Sequence, residues 1–130
     1  MRQITITIDG PASAGKGTVA RMVAKSLGYG YVDTGALYRA VTFMAIRSGV
    51  SLSDGDSLGV LAGGLSLTFH FRGEENILTC DGEDISKGIR NDNVSVGSSI
   101  VAAHPQVRQA LLAKQRALGA TGGVVFDGRD

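Results

Sequence analysis

The fold is decided near the start of the chain by the stretch Ile4-Thr5-Ile6-Thr7-Ile8-Asp9-Gly10-Pro11-Ala12-Ser13-Ala14-Gly15-Lys16-Gly17-Thr18. Its first five residues are β-branched, which predicts a short strand. A glycine-rich segment follows, and after it apolar residues recur at helical spacing, at Val19, Met22, Val23 and Leu27. The order of strand, glycine-rich loop and amphipathic helix predicts an α/β fold whose first loop approaches a ligand closely.

The glycine-rich loop nearly fits the phosphate-binding pattern G-x-x-x-x-G-K-[ST]. Its glycines let backbone N–H groups converge on phosphate oxygens, and the helix beginning near Lys16 points its positive end at the same place. Gly17 stands where Ser or Thr is usual, so Thr18 is the expected hydroxyl for phosphate or Mg²⁺. The residues expected to bind ATP are Gly10, Pro11, Ala12, Ser13, Ala14, Gly15, Lys16, Gly17 and Thr18. The alternative is a glycine-rich turn with a solvated lysine.

A carboxylate at the end of a later apolar strand supports the nucleotide interpretation. Val124-Val125-Phe126 is a short apolar run that ends at Asp127. In proteins with a phosphate loop such an aspartate helps to hold Mg²⁺, usually through water. The alternative is an ordinary strand followed by a polar turn, and it is the phosphate loop that favours the metal role for Asp127.

The rest of the chain alternates between helices and strands, with one change of period. Alternating apolar and polar residues from Leu65 to Arg72, followed by turn residues, predict a small antiparallel insert at 65–85. The other predicted elements are a strand at 29–32, a helix ending at Gly49, a weak helix at 57–62 and helices at 91–103 and 105–118. Lys114 and Arg116 are expected on a solvated basic face of the last of these helices.

Composition restricts the class of protein further. The chain has 130 residues, 43% hydrophobic and 19% charged, which is typical of a folded domain. Its net charge of +1 argues against binding a nucleic acid polymer, and the first apolar run is far shorter than the ~20 residues of a membrane span. The single cysteine, Cys80, excludes an internal disulfide and suits a reducing, cytoplasmic location. We expect one domain over residues 1–130 that binds neither a nucleic acid polymer nor a membrane.

Three segments together resemble the bacterial cytidylate kinases, a group within the P-loop nucleoside monophosphate kinases. They are Ile6-Thr7-Ile8-Asp9-Gly10-Pro11, Asp33-Thr34-Gly35-Ala36-Leu37-Tyr38-Arg39 and Asp127-Gly128-Arg129-Asp130. The resemblance implies a three-layer P-loop NTPase fold, in which the antiparallel insert belongs to the monophosphate-binding region. It also implies transfer of the ATP γ-phosphoryl group, with Mg²⁺, to CMP or dCMP.

The resemblance implies the site residues as well. Those of the CMP pocket are Asp33, Thr34, Arg39, Ser99, Arg108, Arg129 and Asp130, and the catalytic ones are Lys16, Arg129 and Asp130. The residue chemistry agrees, because an arginine fork binds phosphate oxygens with two hydrogen bonds and residues after parallel strands lie at the ligand edge of a sheet. Simpler interpretations stay open: Asp33 as a helix cap, Ser99 as a packing serine, and Arg39 and Arg108 on solvated faces.

Members of this family continue beyond the point where this sequence ends. Their chains add further strands, which would flank Ile4–Ile8, and an arginine-bearing lid. The resemblance therefore implies a partial P-loop domain that keeps the phosphate loop and the acceptor pocket, and a full-length member is expected to be a monomer. Two alternatives remain: a P-loop kinase for another small acceptor, and a nucleotide-binding fragment without catalysis.

We expect little or no turnover from the 130-residue chain alone. Lid arginines stabilise the transferring charge, and loss of such a group costs about 10³-fold or more in rate. A coupled assay of ADP production with ATP and CMP measures this, and ordinary kinase rates would contradict it. Competition with UMP, AMP and GMP tests the other-acceptor alternative, since CMP is expected to be preferred.

Overall fold

The structure is a computed structural model, and it describes residues 5–8, 16–73, 75–120 and 122–127. Its strands are β1 (Thr5–Ile8), β2 (Gly30–Asp33), β3 (Leu67–Arg72), β4 (Glu75–Cys80), β5 (Glu83–Asp84) and β6 (Val124–Asp127). Its helices are α1 (Lys16–Leu27), α2 (Thr34–Ser48), α3 (Gly55–Gly64), α4 (Asp92–Ala102) and α5 (Pro105–Ala120), with a short 3₁₀ turn at Gly88–Arg90. This order confirms the predicted α/β class.

A parallel sheet of order β1-β6-β2 forms the middle layer. Because side chains alternate along a strand, each strand contributes to two layers. Val125 and Tyr31, which are paired in register, pack against α1, whereas Phe126 and Val32 pack against the cluster built from α2 to α5. The described residues therefore form the three expected layers, with helices on both faces of the sheet.

Short polar residues set the helix boundaries. Asp33, Asp54 and Asn91 are the N-caps of α2, α3 and α4, and each accepts a hydrogen bond from a backbone N–H of the first turn. Gly49 ends α2 with a φ of 75°, a conformation that glycine adopts without strain. The α3 boundaries extend two residues beyond the predicted weak helix at each end, because the Asp54 cap lies ahead of the apolar pattern.

The antiparallel insert is confirmed as a three-stranded meander of order β3-β4-β5. Leu67 is buried, Phe69 and Phe71 are half-buried, and the alternate residues of β3 are exposed, as the period of two predicts. The turn at Asp81 and Gly82 has positive φ angles of 51° and 86°, which suit these two residue types. The insert therefore places one apolar face against the rest of the domain.

Helix α1 packs mainly through small residues, and Val23 is the only member of its predicted apolar stripe that is partly buried beside them. Ala20 and Ala24 are fully buried, whereas Val19, Met22 and Leu27 are 52%, 65% and 49% exposed. The apolar spacing correctly predicts a helix, but the alanines form its buried face because they let α1 lie close to β6. Among the described helices, none has the sustained apolar length that crossing a bilayer requires.

The prediction that Lys114 lies on a solvated face of α5 is wrong. Its ammonium donates hydrogen bonds to the carbonyl oxygens of Gly63 and Leu65. These carbonyls belong to the C-terminal end of α3, where a positive charge is favoured by the helix dipole. Arg116 is exposed, as expected. Lys114 therefore joins two helices that sequence periodicity alone does not connect.

The crossing of α3 and α5 depends on a glycine. A Cβ on Gly59 would lie 2.7 Å from the Cβ of Gln106, an atom fixed to the α5 backbone. We expect Gly59→Ala to lower the free energy of unfolding by ~1–3 kcal/mol, because the helices must separate. Gly63→Ala is the matched control in the same helix, since its Cβ would meet no atom within 4 Å, and it is expected to stabilise by up to ~1 kcal/mol. Urea unfolding measures both, and equal effects would contradict the packing argument.

Candidate functional site

Two carboxylates lie side by side at the carboxyl edge of the parallel sheet. Asp127 pairs in register with Ile8 of β1 on one side and with Asp33 of β2 on the other. A cavity of about 550 Å³ is lined by both aspartates and by Thr18 of α1. Ligands of open α/β sheets bind at this edge, and the predicted nucleotide residues Thr18, Asp33 and Asp127 meet there.

The antiparallel insert forms another part of the cavity wall. Phe69, Asn76 and Leu78 from β3 and β4 line it, together with Arg90 at the end of the 3₁₀ turn. The Oδ1 atom of Asn76 is buried and has no hydrogen-bond partner among the described residues. Because a buried acceptor without a partner costs about 1–3 kcal/mol, this atom suits a donor group of a ligand.

Asp127 is fixed through both its side chain and its backbone. The Tyr31 hydroxyl donates to Asp127 Oδ2 at 2.5 Å, and the Thr34 hydroxyl donates to the Asp127 carbonyl oxygen at 3.0 Å. Burial, and then the hydrogen bond and charge of Asp127, raise the pKa of Tyr31 above its usual range. Tyr31 therefore stays protonated as a donor at every physiological pH.

Asp33 has the structural role that the sequence left open. Its Oδ1 accepts a hydrogen bond from the Ala36 N–H at 3.3 Å, which makes it the N-cap of α2. Both residues also line the cavity, so the first turn of α2 lies at the site with its positive dipole end. A cap does not exclude ligand binding, and the predicted contact of Asp33 with a substrate stays a prediction.

Three arginines line the same cavity: Arg21, Arg39 and Arg90. Arg39 is exposed on α2, where the sequence predicts an acceptor-binding arginine. No ion pair or hydrogen bond engages the guanidinium groups of Arg39 and Arg90 within the described part of the chain. Arg21 and Arg90 are site residues that the sequence reasoning missed. The only available signal was the position of Arg21 one turn after the phosphate loop, and Arg90 follows an insert whose fold the sequence does not specify in detail.

Ser99 and Arg108 are not among the residues that line this cavity. Ser99 lies on an exposed face of α4. Arg108 donates to the carbonyl oxygens of Ala102 and Ala103, both at 2.9 Å, and so satisfies the C-terminal end of α4. Its charge also reaches Tyr38, a neighbour of Arg39 on α2. Their predicted roles in the acceptor pocket stay predictions.

The donor chemistry of the cavity fits Mg²⁺ bound together with a nucleotide. Thr18 offers a hydroxyl oxygen and Asp127 a carboxylate, the hard ligands that Mg²⁺ prefers. Among the described residues no cluster of three or more acidic, histidine or cysteine side chains could hold a metal ion alone. A magnesium ion held by one or two protein oxygens needs phosphate oxygens and water for the rest, which suits a kinase site.

Several predicted residues lie outside the described part of the chain. They are Gly10 to Gly15 of the phosphate loop, Arg129 and Asp130, and the side chain of Lys16. Cys80, by contrast, is buried, and burial raises the pKa of its thiol, as expected of a packed residue. The His104 ring bonds to the Leu52 carbonyl oxygen at 2.8 Å. This described contact of His104 joins two segments of the fold and lies outside the cavity lining.

Comparison with known proteins agrees with these features. The sequence matches the family model described as cytidylate kinase over residues 6–130. It is 46% identical over 129 residues to the cytidylate kinase of Geobacillus thermodenitrificans, covering 99% of this chain and 58% of the relative. It is 50% identical over 126 residues to the cytidylate kinase of Pelotomaculum thermopropionicum, covering 96% and 56%.

A third relative, the cytidylate kinase of Ligilactobacillus salivarius, is 45% identical over 130 residues, covering 100% of this chain and 58% of the relative. The chain therefore spans a little over half the length of the curated relatives it matches. The matched segments include the phosphate-loop stretch, which ends at Thr18, and the turn that begins at Asp33, and both of these residues line the cavity. On the family match and on this similarity along nearly its whole length, the chain belongs to the cytidylate kinase family.

Proposed function

We propose that this chain is the nucleotide-binding part of a kinase that transfers the γ-phosphoryl group of ATP to CMP or dCMP, giving CDP or dCDP. One observation carries the proposal. A single cavity is lined by Thr18 and Asp127 from the donor side and by Arg39 and Arg90 from the acceptor side. A phosphoryl donor and an acceptor must meet in line, so a cavity shared by both sets of residues is what the reaction needs.

On the donor side, the backbone amides of residues 10–17 and the Lys16 ammonium bind the β and γ phosphates of ATP. Thr18 and Asp127 hold Mg²⁺, which neutralises charge on those phosphates when it is bound. Tyr31 and Thr34 fix Asp127 by the two hydrogen bonds described above. The protein then contributes positioning and electrostatic stabilisation, and it needs no covalent intermediate.

On the acceptor side, arginine forks bind the monophosphate. Arg39 and Arg90 have no described partner to compete with a ligand, and the first turn of α2 adds a favourable field for an anion. CMP also carries hydrogen-bond donors on its amino group and its sugar, and Asn76 Oδ1, which has no partner among the described residues, is an acceptor for one of them. Ser99, Arg108, Arg129 and Asp130 complete the pocket in this proposal.

The proposed reaction also indicates a metabolic role and a location for the protein. A kinase that makes CDP or dCDP belongs to pyrimidine nucleotide metabolism. One buried thiol suits the reducing cytoplasm as its location. We also propose that the full-length protein is a monomer, and that ATP and CMP or dCMP are its small-molecule partners.

Calorimetry with the 130-residue chain tests the acceptor site. CMP is expected to bind, and Arg39→Ala is expected to weaken it about 10- to 100-fold, because a charge-assisted, bidentate contact of about 1.5–3 kcal/mol is lost. Arg116→Ala is the matched control, since Arg116 is an exposed arginine of α5 that does not line the cavity. It is expected to leave CMP binding unchanged.

Arg39→Lys refines the test, because lysine keeps the charge and loses the fork. An affinity nearer to that of Arg39→Ala than to the parent supports bidentate phosphate binding. Equal weakening by Arg39→Ala and Arg116→Ala would indicate a bulk charge effect and contradict the proposed site. A folded sample that binds neither ATP nor CMP would overturn the proposed function.

A further inference from the structure

Tyr31 is a buried tyrosine whose hydroxyl is used at the edge of the site. The residue is only 5% exposed, and the bond from its hydroxyl to Asp127 Oδ2 joins two neighbouring strands of the parallel sheet. Strand register explains the contact, because Tyr31 pairs with Val125 and therefore lies two residues before the level of Asp127. A phenylalanine would fill the same apolar space, so the hydroxyl has a use that packing alone does not require.

The antiparallel insert holds Tyr31 in place. The rings of Tyr31 and Phe71 stack with centroids 6.5 Å apart and an angle of 25° between their planes. The Asn76 side-chain amide donates to the Tyr31 carbonyl oxygen at 3.2 Å. Phe71 belongs to β3 and Asn76 to β4, so two of the three strands of the insert contact this one residue. The hydroxyl therefore has little freedom to move away from Asp127.

A hydrogen bond to a metal-binding carboxylate fixes the direction in which that carboxylate faces the ion. Such outer contacts orient the ligand, and their loss typically costs 10- to 100-fold in metal affinity or activity. The Tyr31 bond is charge-assisted, because its acceptor is an aspartate, and it is held by a rigid phenol. The Thr34 hydroxyl restrains the backbone of Asp127 but not its carboxylate, so the two bonds are not equivalent.

We propose that Tyr31 is a positioning residue that holds the Asp127 carboxylate for Mg²⁺ bound with ATP, and that the insert sets the position of Tyr31 through Phe71 and Asn76. This inference rests on the proposed function, since it needs a magnesium–nucleotide site at Asp127. It also connects two parts of the domain, because residues of the insert then influence the donor site through one side chain.

The test measures ATP affinity of the full 130-residue chain by calorimetry, once in saturating Mg²⁺ and once in EDTA. The dissociation constant in EDTA divided by that in Mg²⁺ gives a ratio that isolates the contribution of the metal. We expect Tyr31→Phe to reduce this ratio about tenfold while affinity in EDTA stays unchanged. Tyr38→Phe is the matched control, because Tyr38 is a half-buried tyrosine of α2 without a hydrogen bond to Asp127, and it is expected to keep the parental ratio.

A double-mutant cycle shows whether Tyr31 acts through Asp127. In an Asp127→Asn background, Tyr31→Phe is expected to have no further effect on the ratio. Should Tyr31→Phe lower stability too far, Phe71→Leu tests the same step, since it removes the stacked ring and keeps the hydroxyl. It is expected to reduce the ratio by a smaller factor, and an unchanged ratio would overturn the role of the insert.

The outcomes separate this inference from the proposed function. A parental chain that binds ATP equally with Mg²⁺ and with EDTA overturns the magnesium site itself, and the inference with it. A parental chain with a clear Mg²⁺ dependence that Tyr31→Phe leaves intact overturns the inference alone. Equal weakening by Tyr31→Phe in Mg²⁺ and in EDTA would show that the tyrosine is merely structural.

Discussion

The parallel register of three short strands is the constraint on which the rest of the structure depends. Because Ile8, Asp127 and Asp33 pair at the same level, the chain segments that follow all leave the sheet at one edge. Helix α2 begins there under the Asp33 cap, and Thr18 of α1 reaches the same cavity. A slip of one residue in β6 would turn the Val125 side chain to the opposite face and move Asp127 away from Tyr31.

Much of this arrangement could be predicted from local patterns in the sequence. The glycine-rich loop between a β-branched strand and a helix predicts the phosphate-binding context, and the alternation from Leu65 to Arg72 predicts the insert. Those signals are strong because each depends on a few neighbouring residues: an N-cap such as Asp33, a C-cap such as Gly49, or a period of two. Asp33 and Asp127 could be assigned to one edge because strand ends of a parallel sheet share it. Thr18 follows instead from the phosphate-loop pattern and Arg39 from the family resemblance, and all four residues line one cavity.

Contacts between distant segments could not be predicted in this way. Lys114 bonds to the end of α3, about 50 residues earlier, and no periodicity of α5 distinguishes it from the exposed Arg116. The Tyr31–Asp127 bond joins residues 96 positions apart through the pairing of β2 with β6, and the place of Arg90 in the cavity wall depends on packing between distant segments; both are tertiary properties. In α1 three of the four apolar residues at helical spacing are exposed, because the fully buried positions that face the sheet are held by alanines.

We propose that a magnesium–nucleotide complex binds at the sheet edge where Asp127 lies. The most direct test replaces Mg²⁺ with paramagnetic Mn²⁺ and records amide NMR signals of the chain with Mn²⁺ and ATP. We expect selective broadening that is strongest at Thr18, Asp33 and Asp127 and absent at Gly63, at the far end of α3. Broadening that is uniform, or centred away from these three residues, would contradict it.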